Sequence, residues 1–416
     1  MNRIKSISLT VLSLVTVAVA ARAQDFRTDI NPALRYYEAI ILEPNLSPQD
    51  HDYLFTNEWR GQKLPERFGD LISSFHNSFE MVREAGHATV PSDWGIDLSG
   101  GPETLLPHLA RCKQLAVTDK LRVMWELQNG KEKEARDDLL AMFALGRNSS
   151  TDGTLIAVLV DIAIENIAMN TVAENFNSFS NETLQQVVEG FDAAPAGKSA
   201  STAILTGEKT GFHDWFKTKI VQWQKENPGD DAKVMAKLRD LFQAGDEGAD
   251  RRQRDLWQAV TKVANTSDAV LKLIQDQDGI HERAAAIMAL PHPAFEAQEK
   301  QFQADLDKSA NPLTAILFPA IAKARPKEFR TQIKLAMLHA AVAYKTNAVD
   351  GFNSVTDPCG EGPFHFDRFI FEGADRGFRL TSAYNGNGYP ETMIFVETDG
   401  TPFVCDGVKA GQPLSN

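Results

Sequence analysis

Cysteine is scarce in this chain, and acidic residues outnumber basic ones. Three cysteines in 416 residues are too few for a disulfide-held scaffold. The chain has 43 Lys and Arg residues against 56 Asp and Glu residues, a net charge of −13. This balance argues against a general nucleic-acid binder, because phosphate binding needs clustered cations. Gly and Pro follow no period and 43% of the residues are hydrophobic, which excludes a collagen-like or disordered chain.

Short motifs for catalysis and metal binding are also missing. The chain has no H-E-x-x-H, G-x-S-x-G, C-x-x-C or P-loop pattern. Its His residues are dispersed, without the spacing of metal ligands. The segment from Asp276 to Gly279 begins like a calcium loop, but residues 283–286 offer no oxygen side chain there. The sequence therefore predicts no catalytic residue, no metal site and no cofactor.

Residues 1–23 have the pattern of a secretory signal peptide. Arg3 and Lys5 precede an uncharged apolar stretch from Ile7 to Ala20, and Ala21-Arg22-Ala23 provides small residues before the cleavage site. The alternative is an uncleaved anchor, but about 14 apolar residues are fewer than the roughly 20 that span a bilayer. We therefore expect a periplasmic or secreted protein without a membrane span after cleavage.

Helical periodicity dominates residues 24–311, the predicted helical body. Its segments carry one apolar face each and are joined by short polar turns, which favours antiparallel hairpins in a bundle or a solenoid-like array. The most apolar segment contains Asp161 and Glu165, as expected of a buried helix. Helices are predicted over 33–42, 69–85, 102–115, 119–128, 131–147, 154–176, 181–191, 198–224, 232–244, 248–274, 281–290 and 294–308.

The pattern changes after residue 347, and residues 312–410 are predicted to form a long helix followed by a small antiparallel sheet. Alternating apolar residues indicate strands over 364–371, 378–382, 393–396 and 402–405, separated by Gly-containing turns. The whole chain is thus predicted to be mostly α, with an α+β C-terminal part.

Two cysteines flank this sheet. In an exported protein, a disulfide between Cys359 and Cys405 would stabilise the fold by roughly 3–4 kcal/mol, although two reduced thiols are the alternative. Cys112 lies on the apolar face of a predicted helix and is expected to be a buried thiol. A further possibility is that the C-terminal module is stabilised by a calcium ion bound at Asn385 and Asp399.

The loop that contains Asp93, Trp94 and Asp97 is the candidate ligand-binding site of the sequence, with Trp59 upstream. Aromatic rings beside carboxylates suit the binding of sugars or peptides, and two carboxyl groups about 5–10 Å apart could support glycosidase chemistry. The structural alternative, which we favour, is that Trp94 anchors the loop on the helical body while Asp97 caps the next turn.

Part of the N-terminal half resembles exported, mostly helical proteins of unassigned function in planctomycete-type bacteria. The resemblance lies in Asn31-Pro-Ala-Leu-Arg-Tyr-Tyr, Asp93-Trp-Gly-Ile-Asp and Gly101-Pro-Glu-Thr-Leu-Leu-Pro-His-Leu. It covers roughly the first 175 residues and implies no activity.

The C-terminal part resembles the head of a type II secretion pseudopilin. The residues that carry this resemblance are 317–325, Asp357-Pro-Cys-Gly-Glu-Gly-Pro-Phe and Gly377-Phe-Arg-Leu-Thr-Ser. In that family a long helix leads into a turn and a small sheet, with a calcium site in some members. Because the prepilin cleavage motif is missing here, the resemblance implies the local shape but neither polymerisation nor ligand residues.

The sequence leads to two functional hypotheses. The first is an exported, non-catalytic helical protein that presents a surface to another protein or to a cell-envelope polymer. The alternative is a periplasmic hydrolase that acts on a carbohydrate or peptide through loop carboxylates. A deep pocket with convergent carboxylates of perturbed pKa would count against the first.

Overall fold

The computed structural model describes residues 26–243, 251–314, 323–386 and 388–398. Within these ranges the chain is mostly α-helical, with a small antiparallel sheet near its C-terminal end, which confirms the predicted fold class. The helices are α1 (Pro32–Ile41), α2 (Pro48–Phe55), α3 (Glu66–Ser73), α4 (His76–Gly86), α5 (Pro107–Gln128), α6 (Glu132–Ser149), α7 (Leu155–Glu174), α8 (Asn181–Asp192), α9 (Ala200–Ala203), α10 (Asp214–Glu226), α11 (Asp231–Gln243), α12 (Arg251–Val263), α13 (Ser267–Gln275), α14 (Asp278–Met288), α15 (His292–Asp307) and α16 (Ala324–Asn353).

Three further helical elements and three strands complete the secondary structure of these ranges. Short 3-10 helices span Leu98–Glu103 and Phe176–Ser178, and a π-helix over Ile204–His213 connects α9 to α10. The strands are β1 (His365–Phe371), β2 (Ala374–Gly386) and β3 (Tyr389–Val396), paired in the order β1-β2-β3.

Polar caps explain where several helices begin. The Ser180 hydroxyl accepts the backbone N–H of Thr183 at the start of α8, as predicted. The Thr266 hydroxyl accepts the N–H of Ala269 and separates α12 from α13. The prediction of a single helix over 248–274 is therefore wrong.

Other helix boundaries also differ from the prediction. The helix expected to start at Pro102 starts at Pro107 and continues without a break through Asp119 to Gln128. Gly101, with φ of +62°, instead interrupts a 3-10 helix, a conformation that only glycine adopts readily. Residues 48–86 contain three helices, α2 to α4, rather than the one predicted over 69–85, and Ser47 caps the first of them.

Helices α5, α6 and α7 follow one another through short turns and pack together at the centre of the fold. Among the described residues, α7 is the one helix long and apolar enough to cross a membrane, and most of it is buried inside the fold. It packs on α5, α6, α16 and β3. A central apolar helix of this kind is expected of a core element as well as of a membrane span.

The sheet joins the same core as the helices. The rings of Phe366, Phe378 and Phe395 stack across the three strands with centroids 5.1 Å apart. Phe395 contacts Phe176, which follows α7, at 5.2 Å. One hydrophobic cluster therefore extends from the first helices to β3 and crosses the domain boundary predicted between residues 311 and 312.

The described residues contain no disulfide bond. Cys112 and Cys359 are free thiols, and Cys405, the predicted partner of Cys359, lies outside the described residues. Burial raises the pKa of Cys112 well above its usual range and that of Cys359 to about 11. Asp399, named for the calcium alternative, and the strand predicted over 402–405 also lie outside the described residues.

A buried ion-pair cluster lies between α4, α5 and α6. It consists of Arg83, Asp119, Arg122, Glu126 and Asp138. The Arg122 Nε atom lies 3.1 Å from both a Glu126 oxygen and an Asp138 oxygen, while Arg83 also contacts Asp138. Burial raises the pKa of Asp119 to about 7 and that of Asp138 above its ordinary value. Acidic and basic side chains face one another here, which favours a structural role, although Asp119 Oδ1, Arg122 Nη1, Glu126 Oε2 and Asp138 Oδ2 lack a hydrogen-bond partner among the described residues.

Candidate ligand-binding site

The loop that contains Asp93, Trp94 and Asp97 is fixed to the helical body through its tryptophan. Trp94 is buried, and its indole N–H donates to the carbonyl of Asn148 at 2.7 Å. Its ring stacks on Tyr36 at 5.7 Å and on His108 at 4.5 Å. The side chain is thus an anchor of the loop rather than an open platform for a sugar.

The two carboxylates of this loop accept hydrogen bonds from residues of the loop itself and so stabilise its turns. An Asp93 oxygen accepts the N–H of Gly95 at 2.9 Å. Asp97 accepts the N–H and the hydroxyl of Ser99, each at 2.8 Å, and these hydrogen bonds hold the pKa of Asp97 below its usual range. Both residues are exposed. This geometry favours the structural alternative for the loop.

Trp59 lies in a separate part of the fold. Its indole N–H donates to the carbonyl of Leu54 at 3.0 Å, and its ring meets Tyr53 and Phe68 edge-on at 5.1 and 5.0 Å. It belongs to a small hydrophobic cluster with α2, α3 and α5, whereas Trp94 belongs to the main core. The structure therefore does not bring the predicted site residues together.

A different region of the fold contains a cavity, which we call the apolar cavity. Its volume is about 390 Å³, within the range of small-molecule sites. Aliphatic and aromatic side chains dominate its walls. The lining residues are Pro102, Glu208, Phe212, His213, Phe216, Phe242, Leu256, Ile274, Gln277, His281 and Leu313.

The π-helix places three of these side chains, Glu208, Phe212 and His213, on the cavity wall. Close packing holds it against the turn before α7. A Cβ atom at Gly207 would lie 2.8 Å from the carbonyl oxygen of Gly153, and the Thr206 hydroxyl donates to the same carbonyl at 2.7 Å. π-Helical turns are rare and frequent at functional sites.

Gln277 is the most unusual residue of the cavity. It is fully buried between α13 and α14, and both its amide oxygen and its amide nitrogen lack a hydrogen-bond partner among the described residues. An unpartnered buried amide costs free energy, about 1–3 kcal/mol. Because Gln277 lines the cavity, a bound molecule could provide both missing partners.

Two histidines with defined tautomers lie beside Gln277. Their rings are 4.6 Å apart. His281 Nδ1 lies 3.2 Å from the Gln277 carbonyl, and His213 Nε2 lies 2.7 Å from Asp278; since these partners can only accept, the ring nitrogens carry protons. Burial lowers the pKa of both rings. The neutral form of His213 leaves its Nδ1 as an acceptor.

Glu208 is the carboxyl group of the cavity wall. Burial raises its pKa, partly offset by a hydrogen bond from the backbone N–H of Leu155. Raising the pKa favours the neutral acid, which is the form that suits a wall of mainly apolar surface.

Beside the cavity, His213, Asp214 and Asp278 form a group with the spacing of metal ligands. The ammonium nitrogen of Lys217 lies 2.6 Å from an oxygen of each aspartate. The lysine therefore already supplies the positive charge that a metal ion would bring, which makes the group a salt-bridge network.

Comparisons with protein-family models, with curated proteins and with solved structures found no match. The cavity was missed from the sequence because its polar residues are far apart in the chain and follow no motif. In the sequence, Asp276 and Asp278 suggested the beginning of a calcium loop. The residue that lines the cavity is instead Gln277, which lies between them. A glutamine at a helix junction resembles any surface residue until its burial is known.

Proposed function

We propose that this chain is an exported protein that binds a small, mainly apolar molecule through a neutral hydrogen-bonding head group. The observation that carries the proposal is the buried, unpartnered amide of Gln277 at an apolar cavity. A molecule with an alcohol or amide head could pair with this amide and donate to His213 Nδ1, while its apolar part fills the cavity.

The shape of the site favours a small molecule over the protein or cell-envelope polymer considered from the sequence. His213, Gln277 and His281 are almost completely buried, so that a ligand must leave water to reach them. A neutral head suits this site because burying a charge without a counter-ion costs far more than burying a paired polar group.

The lining residues support binding rather than hydrolysis. Among the described residues that line the cavity, Glu208 is the one carboxylate, and none is a Ser, Cys or Lys that could act as a nucleophile. Hydrolysis through a carboxylate pair needs two such groups across an open cleft.

Titration calorimetry with 1-hexanol, hexanamide and hexanoate tests the proposal. We expect the alcohol and the amide to bind and hexanoate to bind at least tenfold more weakly, because its charge must enter an apolar cavity beside Glu208. Ile274→Trp should fill the cavity and abolish binding. Val263→Trp, at an exposed position on α12, is the matched control and should bind like the wild type.

Two results would contradict the proposal. One is that neither hexanol nor hexanamide binds to the wild-type protein. The other is that Ile274→Trp, shown to be folded by circular dichroism, binds these probes as well as Val263→Trp does.

Export is tested separately. If residues 1–23 are a cleaved signal, the mature protein recovered from the periplasm or medium should begin at Gln24, which N-terminal sequencing measures. Recovery of the full chain in the cytoplasm would contradict export while leaving the binding proposal intact.

A further inference from the structure

A second cavity of about 160 Å³ lies near the centre of the fold. We call it the charged cavity. Its walls come from α6, α7, α16 and the segment before α9, and they contain equal numbers of acidic and basic side chains. These are Arg147, Asp161, Glu165, Lys198, Arg325 and Glu328.

The α7 wall carries two carboxyl groups one helical turn apart. Asp161 and Glu165 are both almost fully buried. One Asp161 oxygen accepts the hydroxyl of Ser150 at 3.0 Å, while its other oxygen has no hydrogen-bond partner among the described residues. Glu165 pairs with Arg147. The unpartnered oxygen is therefore an acceptor without a donor.

The α16 wall has the opposite deficiency. Glu328 is fully engaged, since its oxygens accept the N–H of Ala200 at 2.6 Å and the Arg325 guanidinium at 2.9 Å. Arg325 also donates to the carbonyl of Leu290. Its Nε–H is buried and lacks a partner among the described residues. This wall therefore has a donor without an acceptor.

The third wall explains why the cavity is small. A Cβ atom at Gly197 would lie 2.5 Å from an Asp161 oxygen and 2.9 Å from the Arg147 side chain. Only glycine permits this approach of the backbone to both charged groups. Lys198 follows on the exposed side, which places another positive charge beside this wall.

We propose that the charged cavity binds a small zwitterion, such as glycine or another amino acid with a very short side chain. Its ammonium group would donate to the unpartnered Asp161 oxygen and to Glu165. Its carboxylate would accept from Arg325 Nε and from Lys198. The volume is equivalent to about five water molecules at roughly 30 Å³ each, which limits the ligand to a few heavy atoms.

The state of the carboxyl groups supports this complementarity. Burial raises the pKa of Asp161 to about 6 and that of Glu165 to about 8, and the nearby Asp161 charge adds to the shift of Glu165. Two carboxylates without a sufficient counter-charge retain a proton in this way. An ammonium group would replace that proton, so that binding near pH 7 should release it.

Calorimetry with four probes tests the proposal: glycine, β-alanine, ethylamine and acetate. We expect the zwitterions to bind at least tenfold more tightly than either single-charge probe, with proton release seen as a dependence of the heat on the buffer. Asp161→Asn and Arg325→Met should each weaken glycine binding at least tenfold. Arg283→Met, at the exposed pair with Asp305, is the control and should have no effect.

The wild-type probe series alone can overturn the inference. If the zwitterions bind no more tightly than ethylamine and acetate, or none binds, the cavity holds only water. If glycine binds but folded Asp161→Asn and Arg325→Met bind it unchanged, the site is elsewhere. The result is independent of the proposed function, because Ile274→Trp closes the apolar cavity and should leave glycine binding intact.

Discussion

The ion-pair cluster and the apolar cavity both contain buried polar groups, but the free-energy cost of burying those groups is offset differently in the two regions. In the cluster, Arg122 lies 3.1 Å from both Glu126 and Asp138, so that opposite charges face one another, although single polar atoms of the cluster lack a hydrogen-bond partner among the described residues. At the cavity, Gln277 has no partner for either amide atom among the described residues. The cluster is held by charges of opposite sign, whereas the whole Gln277 amide is unpartnered and lines a cavity.

The difference indicates how to separate structural from functional polar groups in the interior of a protein. Burial alone does not separate them, since both regions are buried. A missing partner beside a cavity does, because such a group costs stability and is compensated only when something binds. Perturbed pKa values occur in both regions and are therefore a weaker criterion.

Breaking the ion-pair cluster should have the largest effect. Arg122→Met leaves Asp138 and Glu126 with less counter-charge, and breaking a buried ion pair in this way costs about 3–5 kcal/mol. We expect a loss of this size in the free energy of unfolding measured by urea denaturation. Arg27→Met, at an exposed pair with Asp29, is the control. Equal small losses in both variants would show that the cluster is not structural.

The charged cavity and the apolar cavity should respond oppositely to pH. The raised pKa values of Asp161 and Glu165 mean that the folded state binds more protons than the unfolded state between about pH 4 and 8. Stability from these groups is complete at the acid end and is lost as pH rises, by on the order of a few kcal/mol. Urea denaturation at pH 5 and 8.5 measures the loss, and Glu165→Gln should reduce it.

The histidines of the apolar cavity should make the stability of the fold change with pH in the opposite direction. Burial lowers the pKa of His213 and His281, so that the folded state binds fewer protons. Their contribution is present above pH 6.5, the unfolded value, and is lost as pH falls through the lower folded values. A Glu165→Gln variant whose stability changes with pH as steeply as that of the wild type would contradict the assignment to the charged cavity.

The sequence predicted elements that depend on local pattern and failed where tertiary contacts decide. The helices at Asn31 and Ser180 follow from caps and apolar periodicity. Asp119 looked like the start of a helix, but it lies inside α5, where burial raises its pKa and Arg122 and Arg83 offset only part of that shift. The break at Thr266 was missed because apolar residues continue on both sides of it.

The candidate site was less predictable than the fold. Trp94 and Asp97 are distinctive in the sequence because an anchor and a cap also need special residues. The lining of the apolar cavity comes from segments between Pro102 and Leu313, and no local pattern indicates that they meet. The π-helix that positions His213 looks like ordinary helix in the sequence.

Removing the Gln277 amide should stabilise the ligand-free protein. Gln277→Leu has a similar size and eliminates an unpartnered polar group, so that we expect a gain of about 1–3 kcal/mol in the free energy of unfolding together with weaker binding of hexanamide. Gln128→Leu is the control, because the Gln128 amide exchanges two hydrogen bonds with the backbone of Leu64 and its loss should destabilise. If Gln277→Leu instead lowers the free energy of unfolding, the prediction is wrong and Gln277 is a structural residue.

The smallest effect is expected from the salt bridges beside the apolar cavity. Asp278 is half-exposed and bonds both Lys217 and His213, and such pairs contribute about 0–1 kcal/mol. Asp278→Asn should therefore cost no more than this, because Lys217 keeps Asp214. It should also lower the pKa of His213 further, since the Asp278 carboxylate raises it, and NMR titration of the ring measures this. A loss as large as that of Arg122→Met would mean that the charges beside the cavity are as structural as the buried cluster.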